Sequence, residues 1–375
     1  MPSLNSIIPV LYTALDQVSR ELTGFIPAVS RDSDAAGAAK GQTIRSHIAP
    51  AITAEDITPG HNPANSGDHD VDYVDMTIDK AKAAPVRWTG ENQRGVAHSG
   101  QLDRVMSDQF AQSMRALINE VERDVAAEYV RASRAYGTAG TTPFGSDLTA
   151  AAEVKKILDD NGAPMGDRGL VIDTSAGVNL RSDDRLIKAS YAGTDDTLRR
   201  GVLRDLYGMD LRESAGIRTH SGGTLGADAS LDGSHSAGAT ELTLSDAGSI
   251  DLKAGDVLAI GDYKYVVAED VDSGDKVKIR EPGLMVDESG TDVSVASDFT
   301  ANMAFHRGAI HLVTRAPAMP QGGDSAGDVT VVQDEDTGLA FQVALYREYR
   351  RVKYEVGLAW GARCVKPEHA AILLG

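Results

Sequence analysis

Few residues in this 375-residue sequence are spaced for metal chemistry. His61 and His69 form a near pair in a loop rich in Pro, Gly and Asp, but a separation of eight residues in such a loop sets no fixed geometry for a metal ion. A second stretch begins with Asp270 and ends with Glu281, as a calcium-binding loop does, yet Asp275 stands where such a loop requires glycine. We therefore expect a solvated loop and a hairpin turn, with neither a metal nor a cofactor.

The sequence also lacks the glycine-rich motifs that bind phosphates. Neither G-x-G-x-x-G nor G-x-x-x-x-G-K-[ST] occurs, and GTAGTTPFG at 137–145 has no lysine to reach a phosphate. Ser234 and His235 are neighbours in a stretch rich in Gly and Ser, and their spacing does not select them as nucleophile and base. We do not expect an enzyme, although an enzyme that uses an α/β lobe remains the alternative from another class.

A local concentration of basic side chains lies near the C-terminus, at Arg347, Arg350, Arg351 and Arg363. Such a run is usually the solvated face of a strand. It could equally meet an acidic surface of a neighbouring subunit, or DNA, and the sequence does not separate these possibilities.

Composition limits the class of protein. The chain is 42% hydrophobic and 25% charged, which is typical of a globular protein with two or three lobes. No run of 18 apolar residues and no secretion signal is present, so we expect a protein made in a cytoplasm, with no membrane partner and not a secreted binding module. The single cysteine, Cys364, has no partner for an internal disulfide.

The net charge of −18 is unevenly distributed. Residues 221–300 contain 16 Asp and Glu against 5 Lys and Arg, so this segment accounts for −11. The total argues against a protein that wraps nucleic acid by neutralising phosphates. The segment is therefore expected to be a solvent-facing body of its own.

The clearest helical pattern covers residues 101–136, with Ser99 as a candidate N-cap and Gly137 as a candidate stop. A helix of that length would be roughly 50 Å long and would act as a strut. Its predicted buried face contains Leu102, Met106, Phe110, Met114, Leu117 and Val121.

The N-terminal part shows weaker patterns. Residues 1–42 start amphipathic and become small and polar, which predicts a flexible arm or one that orders on a neighbour. Residues 43–52 and 71–88 alternate like strands, with Val74, Met76 and Ile78 on one face, and a turn-rich tip lies between them. A two-stranded ribbon is marginal alone in water, so we expect it to rest on its own body or on another subunit.

The predicted type of secondary structure changes twice in the second half of the chain. Residues 147–217 alternate helices, one of them around 195–208, with a short strand, which predicts an α/β lobe. Residues 221–298 contain short strands separated by turns and predict an inserted all-β barrel. The chain then returns to a sheet through strands at 340–347 and 351–360.

This order of elements resembles the Hong Kong 97-type fold of tailed-bacteriophage major capsid proteins over essentially the whole chain. The stretches that carry the resemblance are TIDKAKAAPVRWTGEN at 77–92, NMAFHRGAIHLVTRAP at 302–317 and YREYRRVKYEVGLAWGARCVKPEHAAIL at 346–373. The barrel is similar to the insertion domain of podovirus-type coat proteins. The resemblance implies an α+β fold with an N-arm, an E-loop, a P domain with a long spine helix, and an A domain that carries the insertion.

The resemblance also implies a division of the chain. The ranges are an N-terminal arm at 1–42, an E-loop at 43–93, a P domain with the spine helix at 94–146, an A domain at 147–220 and 299–324, the inserted barrel at 221–298, and the P-domain sheet with the C-terminus at 325–375. In this family the E-loop lies across a neighbouring subunit. The implied contact residues on the loop are Val74, Met76, Ile78, Lys80 and Trp88.

The implied function is a major capsid protein that assembles into pentamers and hexamers of an icosahedral head around double-stranded DNA. Implied partners are further copies of the chain, a separate scaffolding protein, a portal, a decoration protein and non-specifically bound DNA, in a virion assembled in the host cytoplasm. A nanocompartment shell that encloses an enzyme is the alternative within the same fold. Lys80 and Lys82 lie on the implied E-loop, but the sequence does not support cross-linking there.

Overall fold

The computed structural model describes residues 4–18, 23–48, 72–98, 100–183, 205–246, 248–334 and 337–375, together with the single residues Pro59 and Leu186. Its helices are α1 Leu4–Val18, α2 Phe25–Ala28, α3 Gly90–His98, α4 Leu102–Ala126, α5 Thr149–Asp160 and α6 Thr174–Ser182. Short 3-10 turns cover Ala127–Arg131, Arg307–Ala309 and Pro367–His369.

Twenty-two strands account for the rest of the regular structure in these ranges. They are β1 Ser30–Ala38, β2 Thr43–Ile48, β3 Asp72–Thr77, β4 Lys80–Thr89, β5 Arg134–Tyr136, β6 Arg168–Ile172, β7 Asp210–Glu213, β8 Thr219–His220, β9 Ser230–Leu231, β10 Ser234–His235, β11 Glu241–Ser245, β12 Val257–Ile260, β13 Tyr263–Val266, β14 Lys276–Lys278, β15 Glu288–Ser289, β16 Val293–Val295, β17 Phe299–His306, β18 Ile310–Pro317, β19 Ala326–Gln333, β20 Ala340–Glu348, β21 Arg351–Cys364 and β22 Ala370–Leu374. The α+β class predicted from the sequence is confirmed.

Two larger sheets form the body. The first runs β1-β18-β21-β20-β19, with β4 paired along β21. The second runs β16-β12-β13-β5-β22-β17-β6-β7, with β8 paired to β17. Because β18 follows β17 after one short turn, the two sheets are joined directly in the chain.

Helix α4 packs one face against the first sheet. Phe110 is 1% exposed, and its ring meets the ring of Tyr354 on β21 edge-to-face with centroids 5.4 Å apart. Five of the six predicted core positions, Met106, Phe110, Met114, Leu117 and Val121, are buried, and Leu102 is half-buried against the same core. The helical spacing therefore selected side chains that do lie on the inward face.

The long helix ends earlier than the sequence pattern predicts. It stops at Ala126 and passes through a 3-10 turn to β5, so the predicted helix over 101–136 is about ten residues too long. Backbone pairing explains the end, because Ser133 N donates to Ala370 O at 3.0 Å and β5 pairs in parallel with β22. This strand pairing competes with continued helix, and helical periodicity cannot detect it.

The N-terminal segment also differs from the prediction of a flexible arm, or of one that orders on a neighbour. Leu11, Leu15 and Val18 of α1 are buried in contact with the core that contains α4. Strand β1 pairs in parallel with β18. These residues order on their own chain, since the apolar face of α1 completes the cover of α4 and the edge of β18 satisfies the backbone of β1.

Residues 221–298 form an all-β segment with its own apolar core, which includes Leu242, Leu258, Tyr265 and Val277. Within the segment, one row of paired strands is β16-β12-β13 and another is β14-β11-β9. A hydrogen bond from Ala268 N to Lys278 O at 2.8 Å connects the end of β13 with β14. The other ends of the two rows are also connected. Leu231 N on β9 donates to Thr291 O at 2.9 Å, and Ser230 forms a β-bridge with Asp292, just before β16.

This all-β segment is not a separate body. Val257 and Val266 point to the opposite side and belong to the core that contains α4. Strand β13 pairs with β5 at Tyr265 and Arg134, which makes the segment an extension of the second sheet. Its two ends are adjacent, because His220 pairs with Phe299 across β8 and β17.

Other sequence predictions have simple outcomes. The returning strands predicted at 340–347 and 351–360 correspond to β20 and to most of β21. The helix predicted after residue 146 is α5. The helix predicted around 195–208 falls mostly on residues 187–204, outside the described residues.

Two histidines lie close together where β17 and β22 approach each other. The rings of His306 and His369 are 6.1 Å apart. Burial, followed by the positive charges of Lys366, His306 and Arg168, lowers the pKa of His369 to about 4. Burial likewise lowers the pKa of His306.

A substitution tests the packing of α4. Phe110→Asp should lower the free energy of unfolding by about 3–5 kcal/mol, because it leaves an unpaired charge and a cavity in the core. Urea denaturation of the full chain measures this. The control is Gln112→Asp, which puts the same side chain on the exposed face of α4 and should change stability by less than about 0.5 kcal/mol. Equal stabilities of the two variants would contradict the assigned face.

The histidine pair predicts a loss of stability in acid. A pKa lowered on folding means that the unfolded chain binds the proton more tightly, so this stabilisation is complete above about pH 6.5 and is lost as the pH falls towards 4. Because the side chain is partly exposed, we expect a contribution of about 1 kcal/mol after solvent screening. His369→Gln should flatten the stability curve between pH 7 and pH 4.5 by that amount, whereas His98→Gln, at an exposed site, should follow the wild-type curve.

Candidate assembly surfaces

The strand β4 pairs within its own chain. It pairs with β21 over ten residues, from Lys80 opposite Trp360 to Thr89 opposite Arg351. Lys80 Nζ lies 2.6 Å from the carboxylate of Asp124 on α4, which also accepts a hydrogen bond from Trp360 Nε1 at 2.8 Å. Within the described residues the strand is thus an edge strand of the first sheet of its own subunit.

Most of the residues implied as inter-subunit contacts already have partners within their own chain, and their role between subunits stays a prediction. Met76, Ile78 and Trp88 are at most 4% exposed within their own chain. Lys80 is paired with Asp124. Ile78 packs with Ala38 and Ala359, and Trp88 belongs to the core that contains α4. Strand β4 covers an edge of β21 that would otherwise be exposed. Val74 is half-buried, and its role in a contact between subunits stays a prediction.

Strands β2 and β3 form a two-stranded ribbon that has no third strand within the described ranges. Arg45 lies over the ring of Tyr73 at 3.9 Å and forms an ion pair with Asp75 at 3.2 Å. Tyr73 is 49% exposed. Arg363 on β21 holds the base of the ribbon by donating to Asp75 O at 2.8 Å.

The basic residues near the C-terminus separate into two places. Arg363 supports the ribbon, whereas Arg347, Arg350 and Arg351 surround the turn between β20 and β21. Arg351 forms an ion pair with Glu348 across that turn. The sequence could not distinguish these places, since residues at the two ends of a long strand are close in number but far apart in space.

A groove of about 860 Å³ lies beside the β20–β21 turn. Its lining comes from the end of β4, the start of α3 and the turn itself. The lining residues are Trp88, Thr89, Gly90, Glu91, Gln93, Arg347, Glu348, Tyr349, Arg350, Arg351 and Val352. The groove therefore carries both charge signs and an aromatic residue on its surface.

A buried carboxylate fixes the N-terminal segment on α4. Glu122 is 2% exposed and accepts hydrogen bonds from the backbone N–H groups of Gly24, Phe25 and Ile26 at 2.6, 2.8 and 3.0 Å. It also accepts from the Ser214 hydroxyl at 2.7 Å. Four donors satisfy the charge, so this group holds structure and is not free for chemistry.

A buried polar chain links the all-β segment to the body. His220 lies between the Tyr129 hydroxyl and the Asp256 carboxylate, with both distances 2.7 Å. Burial alone would raise the pKa of Asp256, but hydrogen bonds from His220 and from the Lys253 and Gly223 backbone outweigh it and lower that pKa. Burial raises the pKa of Tyr129 to about 12. These residues therefore act as a fixed junction.

The remaining sequence candidates do not converge on a reaction centre. His235 lies on β10 and faces Glu288 on β15. The stretch from Gly323 to Gly327 has the G-x-S-x-G spacing of a nucleophile elbow, but it leads from a turn into β19, whereas a nucleophile elbow joins a strand to a helix.

The described ranges contain neither a metal-binding cluster nor a membrane-spanning helix. No group of three His, Cys, Asp or Glu residues there could hold a metal ion. No helix there is long and apolar enough to cross a membrane. His61 and His69 lie outside the described residues.

Comparison with known proteins gives likeness in structure and not in sequence. No family model matches the chain, and no curated protein matches it significantly. A structure from Mycobacterium phage Che8 covers 89% of this chain and 85% of its own at 15% identity and a TM-score of 0.47. The match to the capsid of cyanophage P-SCSP1u covers 95% of this chain and 88% of the phage chain, at 12% identity and a TM-score of 0.49. The match to a virus-like particle from Pyrococcus furiosus covers 97% of this chain and 98% of the particle's chain, at 11% identity and a TM-score of 0.46.

Proposed function

We propose that this chain is the major capsid protein of a tailed bacteriophage, which assembles into pentamers and hexamers of an icosahedral head around double-stranded DNA. The observation that carries the proposal is the ribbon of β2 and β3, which has no third strand within the described residues although the body beneath it is complete. Two strands alone are marginal in water. Strand addition or packing from another copy would supply the missing contacts.

The body supports this role because a long helix and a long strand pack together along their length. Helix α4 has 25 residues and is roughly 37 Å long, and it packs along a sheet in which β21 alone has 14 residues. Such a plate transmits force between its ends with little bending. An enzyme would more commonly show a pocket with convergent polar groups, whereas the groove beside the β20–β21 turn is an open surface feature.

The proposed division of the chain follows the sequence ranges. The N-terminal arm covers 1–42, the E-loop 43–93, and the P domain 94–146 with 325–375. The A domain covers 147–220 with 299–324, and 221–298 is the inserted barrel. Adjacent ends at His220 and Phe299 and a separate apolar core support the insertion.

The proposed partners follow from the same role. They are sister copies of the chain, a scaffolding protein, a portal, a decoration protein and packaged DNA. The runner-up is a nanocompartment shell with an enzyme cargo. The contents of purified particles separate the two, since one encloses nucleic acid and the other a specific protein.

Assembly of the full chain tests the proposal. Expression with and without a candidate scaffolding protein, followed by negative-stain microscopy, should show closed shells of uniform diameter and rings of five or six subunits. A chain that stays monomeric at millimolar concentration in both conditions would overturn the proposal. Shells that protect a single protein cargo from protease would favour the nanocompartment.

Deletion tests the inserted segment. Replacement of residues 221–298 by a short glycine linker should leave the rest able to fold at least in part, because the linker joins neighbouring positions on β8 and β17. Hydrogen exchange should still protect the α4 amides. The melting temperature should fall, because Val257 and Val266 leave the main core. Complete loss of protection in α4 would show that the rest of the chain cannot fold without the segment, and would contradict the proposed insertion.

A further inference from the structure

We infer that the tip of the β20–β21 hairpin, Tyr349 and Arg350, inserts into the groove beside the same hairpin on a second copy of this chain. This inference deepens the proposed shell function and rests on it. It names the contacting residues on both sides of one interface between copies. Four features of the hairpin and the groove support it.

The first feature is an exposed aromatic residue at the hairpin tip. Tyr349 is 88% exposed, the largest value among the exposed large hydrophobic residues of the described chain. Three arginines, Arg347, Arg350 and Arg351, lie within two residues of it. Tyrosine and arginine are enriched among the residues that contribute most to protein interfaces.

The second feature is the fixed conformation of the tip. Arg350 has φ of 55°, a left-handed conformation that usually requires Gly or Asn. Its carbonyl accepts a hydrogen bond from Gly90 N at 3.1 Å, which ties the turn to the start of α3. A tip held in one conformation loses less entropy when it binds. The unfavourable backbone angle is thus compatible with a binding role.

The third feature is a receiving groove of suitable size on the same face. Its volume of about 860 Å³ lies in the range that accepts a drug-sized group, which is comparable to two large side chains. Trp88 and Val352 give it apolar surface. Trp88 is 4% exposed, so only a small part of its ring reaches the groove surface.

The fourth feature is charge, which selects the occupant. Glu91 on one side of the groove is exposed and forms no ion pair within the described chain, and the same holds for Arg347 and Arg350. A second copy brings an arginine to Glu91 and a carboxylate to the arginines, so the surface is complementary to itself. A nucleic-acid phosphate would instead meet the carboxylates of Glu91 and Glu348. Charge therefore favours a sister chain over DNA at this groove.

The test uses charge reversal in the full chain. Arg350→Glu and Glu91→Arg, each alone, should reduce the fraction of subunits in particles, or in oligomers by sedimentation velocity, at least fivefold. The double variant Arg350→Glu/Glu91→Arg should restore most of the wild-type fraction. Arg350→Lys keeps the charge and should assemble like wild type. Circular dichroism and melting temperature check that every variant folds.

Mixing the two single variants shows whether the pair forms between copies. In an equimolar mixture each tip meets a groove of the opposite charge on the other variant, so association should recover, whereas a pairing inside one chain would not recover on mixing. Single variants that associate like wild type, or a mixture that stays as weak as its components, would overturn the inference. Loss of duplex oligonucleotide binding in Arg350→Glu with unchanged assembly would also overturn it, in favour of nucleic acid. If the wild-type chain assembles but the mixture of variants does not, the hairpin contact is wrong and the shell proposal stands. If the wild-type chain stays monomeric, both the hairpin contact and the shell proposal are contradicted.

Discussion

The burial of one face of α4 is the constraint on which the rest of the structure depends. Its apolar residues fill the space between α1 and the first sheet, and two carboxylates on its last turns fix other segments. Glu122 holds the N-terminal segment through three backbone N–H groups, and Asp124 holds β4 and β21 through Lys80 and Trp360. Residues almost 100 positions apart in sequence are thus ordered by a single helix.

The all-β segment joins this body in a different way. Its own core is apolar, but the junction combines one shared sheet with a buried polar chain through Tyr129, His220 and Asp256. Buried polar contacts are directional, so they set the orientation of the segment and resist sliding. The strong negative charge of residues 221–300 then lies on a part of the molecule whose position is fixed, and does not sit on a loose appendage.

Two surfaces of the body have no partner among the described residues. The ribbon of β2 and β3 presents Tyr73 and two strand edges, and the β20–β21 turn presents Tyr349 beside a groove with both charge signs. Both surfaces contain an exposed tyrosine next to arginine, and both are anchored to β21, the ribbon at Arg363 and the turn at Arg351. One long strand therefore supports both proposed contacts with sister chains, and its stiffness fixes the distance between them.

The sequence by itself determined what depends on local pattern. Spacings of three and four identified the inward face of α4 from Met106 to Val121, and alternation identified β20, β21 and the short strands after residue 221. Only the tertiary structure decided where α4 ends, that α1 and β1 order on their own chain, and that Met76, Ile78 and Trp88 are buried within the subunit. It also separated Arg363 from Arg350 and brought Glu91 beside the turn. The physical reason is that each of these outcomes is a pairing between segments distant in sequence, such as β5 with β22 or β4 with β21, and helical or strand periodicity contains no information about distant partners.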